Sequence, residues 1–240
     1  MNASTTTVKP KPLRISETFA GTFQGEGVST GVPACFIRLM LCNLECGDCD
    51  TPYTWDARRF DLRKESRYES VDTLLAWALA QPENLVVLTG GEPLLQMPSL
   101  TALVKGLRAA GREVEIETNG TIAPTAELVA AGPHFNVSPK LSGFGATMSE
   151  TRRLRPDVLR AFAASGLARF KFVVSAPAEL AEIAALEEAY GLSHITVMPE
   201  GTTAEKVLAG MRSLEEPVRA RGYRLGTRLH VLLWGDERGR

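Results

Sequence analysis

Three thiols stand within eight residues: Cys42, Cys46 and Cys49. The thiolate is the form of cysteine that binds soft metals. Three and then two intervening residues let one loop wrap a compact centre. Iron–sulfur cubes are held by cysteine thiolates and usually take four of them. Three ligands therefore leave one iron of a [4Fe–4S] cube open to a substrate or cosubstrate. The fourth cysteine, Cys35, sits in the apolar run Ala34-Cys35-Phe36-Ile37 and reads as a buried core thiol. A structural zinc site wants four ligands, and His134, His194 and His230 all lie far along the chain from this loop. Disulfides are disfavoured, because cysteines this close in an intracellular chain more often bind metal.

The neighbouring motifs narrow the chemistry. Gln24-Gly25-Glu26-Gly27, Phe36-Ile37-Arg38-Leu39, Cys49-Asp50-Thr51, Thr89-Gly90-Gly91-Glu92-Pro93, Glu117-Thr118-Asn119-Gly120-Thr121 and Ser138-Pro139-Lys140 follow one another in that order. The cysteine spacing resembles that of the radical S-adenosylmethionine (SAM) enzymes. The whole set, from about Ser16 to the C-terminus, resembles the 7-carboxy-7-deazaguanine synthase family within them.

The resemblance implies a radical SAM lyase with a [4Fe–4S] cluster, SAM and Mg²⁺ as cofactors. It implies that SAM chelates the open iron and yields a 5′-deoxyadenosyl radical. The implied substrate is 6-carboxy-5,6,7,8-tetrahydropterin. Its ring would contract with loss of ammonia to 7-carboxy-7-deazaguanine, SAM being regenerated, in 7-deazapurine (queuosine-type) biosynthesis.

Residue by residue, the resemblance gives Cys42, Cys46 and Cys49 to the cluster and Thr51 to Mg²⁺. Mg²⁺ prefers oxygen ligands and keeps several waters, so the substrate carboxylate should share it. The other reading of Thr51 is a cap on the following turn. Gly91, Glu92, Ser138, Pro139 and Lys140 are expected at SAM: the glycine for close backbone approach, the hydroxyl and ammonium for ribose and carboxylate oxygens. Phe23, Gln24 and Gly25 match the family's pterin-binding loop, and Thr89 matches another substrate contact. Arg38 suits bidentate pairing with the substrate carboxylate; its other reading is a structural arginine at a strand end. His230, near the chain end, has two readings, a border of the substrate and a structural histidine, and is left outside the expected site. Two departures stand out. Asp48 occupies the position where many members carry an aromatic, and the ending Gly235 to Arg240 differs from members whose last residue reaches the pterin.

The elements that must position these residues alternate. Strand-like runs end at the cysteine loop, at Gly90-Gly91, at Asn119-Gly120 and at Ser138-Pro139-Lys140, with helical runs between them. Further helix–strand units follow, up to an expected last strand over Arg228 to Trp234. The helix over Ala204 to Ala220 is expected to break or bend at Pro217. Such alternation implies a parallel sheet. About six units are fewer than the ~8 of a closed barrel, so the expected fold is α/β, a partial open (β/α)6 TIM-like barrel of the radical SAM type with an N-terminal extension. Active residues in such folds gather after the strand C-termini.

The chain has 240 residues, with 44% hydrophobic and 23% charged, enough for one core domain. Residues 1–13 read as a disordered lead and 14–240 as the domain, with small additions at its N-terminus and after the cysteine loop. A net charge of −1 argues against a nucleic-acid partner. No apolar run reaches the ~18 residues of a membrane span, and a cytoplasmic enzyme is expected. The resemblance suggests a homodimer fed by an electron donor such as flavodoxin or ferredoxin. Two other functions compete with this one: a radical SAM activase that places a glycyl radical on a partner protein, and a non-enzymatic zinc module. The Gln24 to Gly27 loop and Thr51 argue against the activase, which needs no pterin pocket.

Overall fold

The computed structural model of the chain describes residues 10–144 and 148–240. The expected lead falls largely on residues 1–9, outside the described residues; Leu13 is already buried in the first strand. The strands are β1 (Leu13–Phe23), β2 (Pro33–Leu39), β3 (Arg67–Glu69), β4 (Leu85–Gly90), β5 (Glu113–Thr118), β6 (His134–Val137), β7 (Ala168–Val174), β8 (Ile195–Pro199) and β9 (Arg224–Leu225). The helices are α1 (Val71–Leu79), α2 (Met97–Ala109), α3 (Ala126–Ala130), α4 (Glu150–Arg153), α5 (Pro156–Ala164), α6 (Leu180–Tyr190), α7 (Ala204–Ala220) and α8 (Leu229–Trp234).

The described strands form one nine-stranded sheet in the order β3-β1-β2-β4-β5-β6-β7-β8-β9. β1 runs antiparallel to both β2 and β3, while every pairing from β2 to β9 is parallel. The sheet does not close, and the chain adopts the partial TIM-like barrel expected from its alternating elements.

Side chains alternate across each strand. One face is apolar: Cys35, Ile37 and Leu39 of β2, Val86 and Leu88 of β4, Val114 and Ile116 of β5, and Phe170 and Phe172 of β7 form the main core beneath the helices. α2 and α5 cover them with Leu100, Leu103 and Leu107, and with Val158, Leu159 and Phe162. The opposite, inner face is polar over half its width. Glu115, Asn136, Lys171 and Thr196 are all buried there. Parallel strands are normally apolar on both faces, so this inner face is built for chemistry rather than for packing.

Two expectations need correction. Arg228 to Trp234 is not a strand: residues 229–234 form α8, and the short β9 takes the sheet edge. The run Leu229-His230-Val231-Leu232-Leu233-Trp234 is too evenly apolar for its period to separate strand from helix. Instead, the Leu229 amide donates to the Gly25 carbonyl at 2.9 Å, which holds this segment over the barrel mouth. Pro217 does not break α7, which runs unbroken through it. It lies in the last turns, where the carbonyl that a residue-217 amide would have met belongs to exposed Ser213. Beyond residues 53–64, which extend the cysteine loop without a strand, β3 adds to the sheet beside β1. Among the described residues no helix is long and apolar enough to cross a membrane.

Candidate active site

A cavity of about 330 Å³ opens at the C-terminal ends of the parallel strands. Cys42, Cys46, Cys49 and Thr51 stand on its wall with Phe23, Gln24, Gly25, Arg38, Thr89, Gly91, Ser138 and Lys140. Two residues expected at the site, Glu92 and Pro139, do not reach this wall.

The cysteine loop leaves β2 through Leu41, whose φ of 76° is uncommon for a residue with a side chain. The turn is held on both sides: the Leu41 amide donates to the Thr54 carbonyl at 2.9 Å, and the Leu41 carbonyl accepts from Glu92 at 2.7 Å. Gly90 and Gly91 are required by this crossing. A Cβ on Gly91 would lie 2.0 Å from the Leu41 carbonyl oxygen, and one on Gly90 would lie 2.1 Å from that of Leu39. The glycine pair therefore lets the end of β4 pass against the cysteine loop.

Burial pushes the Cys42 thiol up to about 12 and raises Cys46 as well. A bound metal cation works against this shift and favours the thiolate. The loop supplies donors to the sulfurs. The Leu44 amide lies 3.4 Å from Cys42 Sγ, and the Trp55 indole Nε1–H donates to Cys49 Sγ at 3.3 Å. A cube fits this donor set of three free thiols on one cavity wall, because each of its cysteine ligands takes a different iron.

Glu92 is fully buried and carries a structural load. Its carboxylate accepts from the Leu94 amide at 3.0 Å, the Asn119 amide at 2.7 Å and the Thr118 hydroxyl at 2.9 and 3.0 Å. Burial raises its pKa to about 7. Its place is below the floor, tying the end of β4 to the end of β5. On the opposite wall Lys140 Nζ donates to Ser138 Oγ at 3.2 Å and sits 5.2 Å from the centre of the Phe144 ring.

The Gln24 to Gly31 loop enters the barrel. Gln24 Nε2 donates to Glu115 at 2.5 Å and to Glu117 at 3.2 Å, and Ser29 donates to Glu115 at 2.6 Å. Gly27, at φ 71°, passes so close to Asn136 that a Cβ would lie 2.5 Å from its amide nitrogen. Thr89 donates to Glu117 at 2.6 Å. The side chains of Gln24 and Thr89 are thus engaged with carboxylates, and Glu117 presents an acceptor to the cavity. Arg38 is neither wholly structural nor free. Its Nε donates to Glu17 at 2.7 Å, while its side chain still lines the cavity.

A buried charge group forms here whose pairing the sequence does not show. Glu26 pairs with Lys171 and, at 3.0 Å, with Arg228. Arg228 also reaches Asp50, the neighbour of Cys49, at 2.5 Å. Burial opposes each charge, but Lys171 and Arg228 hold the Glu26 carboxyl far below its usual range, and Glu26 in turn raises both cations. His230 closes over the loop, so near that a Cβ on Gly25 would lie 2.1 Å from its Nδ1. Glu26 lay inside a recognised motif and Lys171 on the inner register of β7. Nothing local marked Arg228.

Comparison with known proteins decides the family. Residues 23–128 match a family described as a 4Fe-4S single cluster domain. The 7-carboxy-7-deazaguanine synthase of Pyrobaculum aerophilum is 37% identical over 232 residues, covering 95% of this chain and 97% of that one. The chain belongs to the 7-carboxy-7-deazaguanine synthase family. The synthase of Rhodopirellula baltica is 35% identical over 95% of this chain and 88% of its own. The crystal structure of QueE from Escherichia coli superposes with a TM-score of 0.64 at 28% identity, covering 90% of this chain and 93% of that one. As a 7-carboxy-7-deazaguanine synthase family member the chain is a radical SAM lyase, and its cofactors include a [4Fe–4S] cluster and SAM.

Proposed function

We propose that this chain contracts the ring of 6-carboxy-5,6,7,8-tetrahydropterin to 7-carboxy-7-deazaguanine with loss of ammonia, in 7-deazapurine (queuosine-type) biosynthesis. The observation that carries the reading is the meeting, in one cavity, of a three-cysteine loop and a polar inner barrel face. When bound, the reduced cluster with SAM supplies the radical that abstracts hydrogen from the substrate. The chain's own residues hold and orient the two organic ligands.

Cys42, Cys46 and Cys49 hold the cluster. The Gly91 backbone, Ser138 and Lys140 face SAM. Phe23 offers a ring face for stacking; it is 38% exposed and stacks in turn with Trp234 at 6.4 Å. Glu117 offers a carboxylate to the N–H groups of the pyrimidine ring. Arg38, held through its Nε, keeps its remaining guanidinium donors for the substrate carboxylate. Thr51 and that carboxylate share Mg²⁺. The hydroxyl of Thr51 makes no cap hydrogen bond to the turn it precedes, which supports this role over capping. By the same family reading the enzyme is a cytoplasmic homodimer reduced by a flavodoxin- or ferredoxin-type donor.

The test is direct. Reduced, reconstituted protein incubated with SAM, Mg²⁺ and the pterin should form the deazaguanine acid, detected by mass. A fully loaded enzyme that consumes no pterin would sink the proposal.

A further inference from the structure

Trp55 stands between two openings. It lines the main cavity, and with Cys46 it lines a shallow outer groove bordered by Asp56, Arg58 and Arg152. Its indole nitrogen makes the shortest side-chain hydrogen bond to any of the three loop thiols among the described residues. The 3.3 Å to Cys49 compares with 3.8 Å from Thr51 to Cys49 and 3.9 Å from Asn119 to Cys42. The Trp55 backbone beneath the ring is tied down by its amide, which donates to the Pro52 carbonyl at 3.1 Å.

An N–H aimed at a thiolate sulfur places the positive end of a dipole on the cluster. It stabilises the state with more negative charge, which is the reduced one. Hydrogen bonds to the sulfurs are among the levers that set cluster potentials. The other close donor, the Leu44 amide on Cys42, belongs to the backbone and stays through any side-chain change. We propose that Trp55 is a positioning and tuning residue: its indole N–H raises the reduction potential of the cluster through Cys49, and so sets how strong an electron donor the enzyme needs. The proposal rests on the cluster assignment made above.

The test uses full-length protein, reconstituted anaerobically and titrated by spectroelectrochemistry without SAM. It compares wild type with Trp55→Phe and with a chain carrying 3-benzothienylalanine at position 55, which keeps the ring shape and removes only the donor. Both variants should retain about four iron per chain and show a more negative midpoint potential. Trp77→Phe, on α1, should leave the potential where it was. An unmoved or more positive potential in the benzothienylalanine chain would overturn the proposal, as would a shift confined to Trp55→Phe, which would be a packing effect. Loss of iron from both variants alone would assign Trp55 to holding the loop and overturn it too. Wild type without iron would instead remove the cluster assignment itself.

Discussion

Lys171 on β7 and Glu26 in the N-terminal loop, 145 positions apart, form an ion pair inside the barrel, with side chains only 7% and 14% exposed. Arg228 closes on the same carboxylate. Removing the carboxylate would leave Lys171 with only Glu117, at 4.0 Å, and Arg228 with only Asp50 as ionic partners in a poorly solvated interior, and losing one partner of a buried pair costs up to about 3–5 kcal/mol. Glu26→Gln should therefore lower the unfolding free energy by that order in urea at neutral pH. The sign with pH follows from the direction of the shift. Glu26 is held below its ordinary value, so its contribution is full above the ordinary carboxylate pKa and is lost as pH falls towards the folded value. Wild type should lose stability on acidification more steeply than Glu26→Gln, and the two curves should converge. Parallel curves would remove Glu26 from this role.

Arg38 is anchored at one end by Glu17, which also accepts from Tyr53 at 2.9 Å and from Arg238 in the C-terminal tail at 3.0 Å. Burial works against the Glu17 charge, yet Arg38, Arg238 and Tyr53 keep its pKa below the usual carboxylate value. A lysine in place of Arg38 cannot hold Glu17 and a carboxylate in one planar fork. Arg38→Lys should raise KM for the pterin by roughly 10–100-fold, in line with a loss of about 1.5–3 kcal/mol for hydrogen bonds to charged groups, with SAM affinity unchanged. Glu17→Ala should act in the same direction and less strongly. The double variant should fall short of the product of the two effects, because the residues are coupled. Equal changes in pterin and SAM binding would point to a general collapse of the site instead.

The parts of this site that were legible in the sequence are those whose chemistry is local. Cys42, Cys46 and Cys49 announce themselves by spacing, and the ends of β2, β4, β5 and β6 by the motifs that follow them. The alternation Glu113-Val114-Glu115-Ile116-Glu117 even shows which side of β5 faces inward. What stayed hidden depends on contacts across the chain. Arg228 meets Asp50 from 178 positions away. Glu92 sits in a motif that suggests a SAM contact, and only the packing of β4 against β5 shows it buried beneath the floor. Gly91 looked like clearance for a ligand, and the closer neighbour proves to be the Leu41 carbonyl.

Thr51 has a hydroxyl on the cavity wall, 3.8 Å from Cys49 Sγ, and no capping bond to hold it elsewhere. A single neutral oxygen binds Mg²⁺ weakly, so the metal should arrive with substrate. Thr51→Ala should leave iron content unchanged and blunt the stimulation of turnover by added Mg²⁺, while Thr51→Ser retains it. An unaltered Mg²⁺ response in the alanine variant would take Thr51 out of the metal site.

Cys35 provides the contrast that tests the ligand set. It is fully buried in β2 with Ile37 and Leu39 on the helix-covered face, and burial pushes its thiol up to about 11. The three loop cysteines reach the cavity from the other side of the β2 end, and Cys35 is not on its wall. Cys42→Ala, Cys46→Ala and Cys49→Ala should each lose bound iron and abolish turnover, because a cube with three protein ligands has none to spare. Cys35→Ala should retain about four iron per chain and keep its activity. Its cost should appear in stability, at about 1 kcal/mol for a small void in a packed core. Iron analysis and chemical denaturation of the four variants separate the two roles, and loss of iron in Cys35→Ala would overturn the assignment of the cluster to the loop alone.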